Sequence, residues 1–351
     1  MKVRGKILFL IIAIIIISFF FSCEHRPLED PHNGHYVRVY IDENIKNVTY
    51  GFYDESRNKP EYIRPKVLRV VLTDTTTDNV VTERYLQSFG EDERGYYVDG
   101  YIAAAEGEYN LMIYNFGSGR TKIRNEYSFY NMQAYTSPIS ESYYPYFPNM
   151  QDTIDKTNWR YCPDHLFVVT SQPIKINCNK ELDTLYDAEG NFFRAKSVVK
   201  SYYLQIRING FEYVTSAVSL LSGMAGTTTL NTKEMDESDA VSLFFDMNYA
   251  EVTKTKSGSA SKSAVLYTTF NTFGKLHDKK NIYMINFEFT RIDGSSQIET
   301  INITSMFDEP MVKNEQWILI DQEIEIKPTE DAGGMRPGVD AWDDIICDIP
   351  L

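Results

Sequence analysis

Cysteine is scarce in this chain, with four among 351 residues: Cys23, Cys162, Cys178 and Cys347. No two form a C-x-x-C pair, which removes the usual zinc-binding pattern, and the three beyond Cys23 are too few for a disulfide scaffold. Cys162 and Cys178 either bridge in an oxidising compartment or stand as two buried free thiols, and their spacing leaves both open. The odd count leaves one thiol spare. Histidine is nearly as rare, with five residues. His25, His32 and His35 fall together near the N-terminus, where a polar tether explains them better than a metal site. His165 and His277 have no acidic or cysteine partner at a telling spacing. The phosphate-cradling G-x-x-x-x-G-K-[ST] loop is absent, as are G-x-G-x-x-G, H-E-x-x-H and G-x-S-x-G. No catalytic residue, metal or cofactor is therefore expected. Carboxylates are plentiful, so pairs such as Glu91-Asp92 and Asp343-Asp344 arise by composition, and a glycosidase needs a spatial separation that sequence does not give.

Runs of basic residues are also missing. The formal net charge is −14, so nothing could neutralise a row of phosphates and nucleic acid is excluded as a partner. The one basic cluster is Lys2, Arg4 and Lys6, followed by an apolar run from Ile7 to Phe21 and then Ser22-Cys23. Its length of roughly 22 Å, at about 1.5 Å per residue, falls short of the roughly 30 Å a spanning helix must cross. The layout is that of a bacterial lipoprotein signal peptide over residues 1–22, cleaved before Cys23. Ser22 is small enough for a signal peptidase to approach, although Phe20 and Phe21 are bulkier than usual there. Cys23 is the expected lipidation site, with residues 23–34 as a lipidated tether holding the protein to a membrane.

Aromatic residues are abundant, at 14% with 25 Tyr and 20 Phe, and apolar residues recur mostly with period two. That period predicts antiparallel sheet. In residues 35–42, Val37, Val39 and Ile41 share one face. Further strands are expected at 66–73, with Leu68, Val70 and Leu72 inward, and at 108–116, with Tyr109, Leu111 and Ile113 inward. Others follow at 166–176, 202–209, 241–249, 264–273, 282–290 and 317–327. The chain exceeds what one hydrophobic core usually serves. Two β domains are expected, at 35–165 and 166–328, the second with roughly seven strands.

Between them, residues 120–161 lose the alternation and gain Tyr, Pro and Asn, so a long connection is expected there. Its aromatics Tyr143, Tyr144, Tyr146 and Trp159 are candidate ligand contacts, because exposed rings stack on sugar faces and dominate protein interfaces. The alternative is that they pack inside the fold. Gly333-Gly334 and Pro337-Gly338 open a linker, and residues 329–351 are read as a linker with a tail strand. In the tail Val339, Ala341, Ile345, Cys347 and Ile349 share one parity, interrupted by Asp343, while Asp340, Asp344 and Asp348 share the other. With Trp342, these apolar residues are the candidate partner-binding surface.

Several segments together carry a resemblance. They are the lipoprotein cysteine followed by Glu24-His25-Arg26, then Val37-Arg38-Val39, residues 217–226 with Leu221-Ser222-Gly223-Met224-Ala225-Gly226, and Val339-Asp340-Ala341-Trp342 through to Leu351. The chain resembles a Bacteroidales lipoprotein family of uncharacterised domain, similar to the FimB-type fimbrial anchor and accessory proteins of the fimbrillin superfamily. The resemblance implies two tandem transthyretin-like β-sandwich domains at the outer membrane or cell surface. It further implies a non-catalytic anchor or adhesion subunit whose partners are fimbrial subunits or other surface proteins. Donation of a strand to a partner's groove is the expected mode of engagement, with the tail as donor or docked on its own domain. A surface glycan-binding lipoprotein using the Tyr-rich loop is the alternative. Gly223 and Gly226 are read as permitting a tight reversal after a strand, with Met224 filling a core gap.

Overall fold

The computed structural model describes residues 34–43, 64–115, 119–139, 158–177, 183–251, 262–277 and 282–328. Twenty strands appear in chain order: β1 (His35–Ile41), β2 (Leu68–Asp74), β3 (Val80–Leu86), β4 (Ser88–Asp92), β5 (Gly95–Ile102), β6 (Gly107–Asn115) and β7 (Thr121–Arg124). They continue with β8 (Gln133–Thr136), β9 (Trp159–Tyr161), β10 (Phe167–Ile176), β11 (Phe193–Ser197), β12 (Lys200–Asn209) and β13 (Val214–Ala225). The last are β14 (Thr227–Thr229), β15 (Ala240–Asp246), β16 (Asn248–Glu251), β17 (Ser263–Thr272), β18 (Met284–Arg291), β19 (Ser296–Asn302) and β20 (Trp317–Glu325). A short helix, Pro310–Glu315, precedes β20. The molecule is all-β, as the period-two patterning requires.

The first sheet has eight strands in the order β3-β2-β6-β10-β11-β1-β5-β4. One face of every strand except β4 feeds a single core, including Val37, Val39, Leu68, Val70, Leu111, Ile113, Phe167 and Phe193. The sheet therefore curls around that core, and its edge strands β3 and β4 are joined by Gln87 alone. Each large aliphatic or aromatic side chain so enclosed contributes roughly 1.5–3 kcal/mol relative to exposure.

A four-stranded sheet, β16-β17-β12-β20, faces a five-stranded one, β19-β18-β13-β15-β9. Leu204, Ile206 and Ile208 from β12 and Ile318 and Ile324 from β20 meet Leu221, Leu243, Ile285, Phe287 and Phe289 from the opposite sheet. This is a β-sandwich core. A third apolar cluster ties the two parts together. Val71, Met112, Tyr114 and Val168 on the outer face of the first sheet pack with Phe129, Met132, Ala134, Leu230 and Phe273. The small sheet β14-β8-β7 lies in this cover.

The structure corrects several expectations. Strand β10, expected to open the second domain after residue 165, pairs with β6, and β11 pairs with β10 and with β1. The chain thus returns to the first sheet before β12 starts the sandwich. Pro173, which lacks an N–H, sits in the register break of β10 between Ser171 and Ile174, where no ladder bond is forfeited. The ladders are mostly antiparallel, but β1–β11, β9–β15 and β12–β20 run parallel. Parallel pairs need long crossovers that local alternation does not reveal. The single strand expected at 241–249 divides at Met247: β15 joins one sheet of the sandwich and β16 the other. Part of the expected connection is also ordered, since β7 and β8 form a hairpin with Met132 and Ala134 buried.

The Gly223–Gly226 segment makes no reversal. Gly223, at φ +84°, sits at a bulge where β13 breaks register with β15 between Leu221 and Met224. A Cβ there would approach the Tyr283 ring to 2.8 Å. Met224 is fully buried, as expected.

Candidate functional site

Because Val37, Val39 and Ile41 enter the core, Tyr36, Arg38 and Tyr40 stand on the opposite face of β1. Strand β5 lies antiparallel beside it, with Asp99 opposite Arg38 and Tyr97 opposite Tyr40. The cover over the outer face ends before these strands, so β11, β1 and β5 carry their own polar surface.

Arg38 organises that surface. Its guanidinium donates to the Tyr36 hydroxyl at 2.9 Å, to Asp99 at 3.1 Å and to Asp92 at 3.3 Å. The same group lies 3.9 Å from the centroid of the Tyr97 ring. The Tyr36 hydroxyl donates to Asp99, and the Tyr40 hydroxyl donates to Asp92 at 2.7 Å. Burial, and then the Asp99 carboxylate, push the Tyr36 hydroxyl up to about 12. The Tyr40 hydroxyl, and then the Arg94 amide, hold the Asp92 carboxyl below the usual range. All three guanidinium nitrogens of Arg38 and both the Tyr36 and Tyr40 hydroxyls donate to protein acceptors, so the constellation's chemistry is positional: it fixes a platform of rings. Tyr36 and Tyr101 lie 5.4 Å apart, Tyr40 and Tyr97 5.8 Å, and Tyr40 and Phe192 6.0 Å.

Beside the platform opens a cleft of about 700 Å³ lined by Tyr40, Phe192, Arg94, Arg194, Lys196 and Lys233, among others. Arg194 and Lys196 project from β11 because the alternate residues Phe193 and Ala195 are core. Arg94 comes from the turn between β4 and β5. Lys233 comes from the loop after β14, where its backbone adopts φ +61°. The Arg194 guanidinium lies 5.7 Å from the Tyr40 ring and that of Arg94 5.8 Å from Phe192. Partial burial, and next the Lys196 cation, lower the pKa of the Lys233 ammonium. Two acids also line the cleft. Asp187 is occupied by the backbone N–H groups of Glu189 and Asn191, at 3.0 and 2.8 Å, and the other is Glu189.

The residues singled out from sequence are not brought together. Cys23, Cys178, Tyr143, Tyr144, Tyr146 and the tail residues Val339, Ala341, Trp342, Ile345, Cys347 and Ile349 lie outside the described residues. Trp159, a candidate ligand contact, is instead 1% exposed and packs with Ile139, Leu220 and Phe244. Strand β9 pairs beside β15 and carries that ring under the sheet, so it has no surface to offer a ligand. Cys162 is a free, buried thiol whose S–H donates to the Phe244 carbonyl at 3.4 Å, which favours the free-thiol alternative there. Burial pushes this thiol up to about 12. His35, grouped with the tether, is buried at the start of β1. His277, without an acidic neighbour in sequence, meets Glu237 at 3.0 Å. The chance pair Glu91-Asp92 splits between Arg64, at 3.1 Å from Glu91, and Arg38.

The cleft was not foreseen, because its cations come from three separate segments with no common spacing. The one trace in the sequence is the outward phase of β1 and β11, which places Tyr and Arg where a solvated strand usually carries smaller polar residues.

Among known proteins, the chain is similar to the Bacteroides ovatus protein named "Putative fimbrium anchoring subunit Fim4B", at 22% identity over 79% of this chain and 82% of that one. The crystal structure of a "putative adhesin" from Bacteroides ovatus shares the fold. Its TM-score is 0.55, at 19% identity, covering 88% of this chain and 98% of the other. The fimbrial anchor protein Mfa2 of Porphyromonas gingivalis aligns with a TM-score of 0.43 at 10% identity, over 83% of this chain and 89% of that chain. The model of the family described as domain of unknown function DUF5119 matches residues 63–246, more than half of the sequence, and the chain belongs to that family.

Proposed function

We propose that this protein is a non-catalytic, lipid-anchored fimbrial anchor or accessory subunit of the outer membrane or cell surface. The observation that carries the reading is the similarity to a protein named as a fimbrium anchoring subunit, which spans about four-fifths of both chains. The architecture is compatible with bearing load: three contiguous apolar clusters join the sheets, and the ladders are extensive. In this reading lipid on Cys23 fixes one end to the membrane, and residues 23–34 set the stand-off.

Strand β20 is the edge of its four-stranded sheet, beside β12. The segment that follows it, with its alternating Val339, Ala341, Ile345, Cys347 and Ile349, is the proposed element of capture. Main-chain hydrogen bonds to a partner's sheet would supply affinity, and the alternate side chains would supply specificity. Two experiments test the reading. Lipid-precursor labelling should mark the wild type and not Cys23→Ser, and unlabelled wild type would refute the anchor. Capture from cell envelopes should return fimbrial structural subunits with the full chain and lose them when residues 339–351 are deleted.

A further inference from the structure

Four cations line the cleft beside the Arg38 platform: Arg94, Arg194, Lys196 and Lys233. Among the described residues none of them has an acidic partner within ion-pair distance, although the chain as a whole carries a net charge of −14. Other described cations, such as Lys66, Lys122 and Lys200, stand outside the ion pairs as well; what sets these four apart is that they line one concavity. The two acids on the wall, Asp187 and Glu189, offset only part of this charge and leave the cations in excess, and Asp187 accepts from the backbone of its own turn. Phe192 and Tyr40 stand among the cations, each with a guanidinium within 6 Å of its ring.

We propose that this cleft binds a saccharide bearing an anionic group, with the carboxylate or phosphate among Arg194, Lys196 and Lys233 and the apolar face of a sugar ring against the half-buried Phe192, which the buried Tyr40 backs at 6.0 Å. Three features favour this class. Arg in fork geometry and Lys as a point charge both recognise carboxylate and phosphate oxygens. Aromatic rings present the apolar face that a pyranose stacks on. The Arg38 network holds Tyr40 in place through Asp92, so the platform is ordered before a ligand arrives. An anion would also relieve the repulsion between Lys196 and Lys233, which returns part of the cost of assembling them. The site is independent of the anchoring role: β1 and β11, which carry it, belong to the first sheet, whereas β20 belongs to the sandwich.

The test uses the mature full chain and titration calorimetry with a galacturonate hexamer, a neutral galactan oligomer of the same length, inorganic phosphate and a hexa-aspartate peptide. The hexamer should bind saturably and weaken as salt is raised. The neutral oligomer should not bind, and phosphate should bind more weakly than the hexamer. Lys233→Ala and Arg194→Ala should each weaken hexamer binding about tenfold, and Arg207→Ala, an exposed cation on β12, should leave it unchanged. Thermal melts of the variants equal to wild type establish that folding is intact. No binding of the hexamer, equal binding of the neutral oligomer, equal binding of the peptide, or indifference to both cleft substitutions would overturn the proposal.

Discussion

Arg38 of the first strand stacks on Tyr97 of its antiparallel neighbour, with 3.9 Å between guanidinium carbon and ring centroid, while the same guanidinium reaches Asp99 and Asp92. It therefore bridges two carboxylates on adjoining strands and holds a ring in place. Arg38→Ala leaves Asp99, with its side chain 13% exposed, without its cation, and should cost about 1–3 kcal/mol in chemical denaturation. Arg38→Lys keeps the charge but not the fork or the stack, and should recover only part of that loss. Equal stability of all three proteins would show that the network contributes nothing to folding.

The buried tyrosines set an alkaline limit. Burial, opposed in part by the nearby Arg69, pushes the fully enclosed Tyr114 up to about 12, against an ordinary value of about 10. The folded state keeps this proton where the unfolded chain has lost it, so stability is fully present below pH 10 and falls as pH rises towards 12. Tyr36 acts in the same direction. Denaturation midpoints of wild type should fall across this window, and those of Tyr114→Phe should fall less steeply. Parallel curves would contradict the assignment.

Cys162 should be inert while the protein is folded. Its thiol is enclosed and its pKa is pushed up to about 12 by burial, so hardly any thiolate exists near neutral pH. Iodoacetamide labelling read by mass spectrometry should leave Cys162 unmodified in buffer and modify it fully in denaturant. Rapid labelling of the native protein would place the residue at the surface.

At Gly223 backbone and packing coincide. An alanine there must take φ +84° and bring a Cβ to 2.8 Å from the Tyr283 ring. Gly223→Ala should destabilise by about 1–3 kcal/mol, whereas Gly294→Ala, at φ +80° with open space around its Cβ, should cost about 1 kcal/mol. The difference between the two melts isolates the clash from the backbone strain.

The strands were legible because their apolar residues alternate with polar or mixed ones, even where both faces are enclosed: Tyr202, Leu204, Ile206 and Ile208 on β12, and Tyr283, Ile285, Phe287 and Phe289 at β18, are all core, while Gln205 and Glu288 of the other phase are buried too. What alternation does not encode is which strand lies beside which. Val168 and Lys196 are neighbours across β10 and β11, yet nothing near either residue marks the pairing, and so the expected boundary at residue 165 fell inside the first sheet. Trp159 shows the same limit for sites. An aromatic-rich, proline-rich stretch reads as exposed, but the parallel pairing of β9 with β15 turns its ring inward. Lys233 reaches the cleft through a turn after β14 closed by its own backbone, the Lys233 N–H donating to the Thr229 carbonyl at 2.8 Å, and tied to Met132, whose carbonyl accepts the N–H of Leu230 at 2.9 Å.

The anchoring role is tested most directly by envelope capture with the mature chain and with the same chain lacking residues 339–351, both confirmed folded by their melts, the bound proteins being identified by mass spectrometry. The full chain should retain fimbrial structural subunits and the truncated chain should release them. Retention of those subunits by the truncated chain would contradict capture through the tail, and recovery of no fimbrial subunit by either would contradict the anchoring role itself.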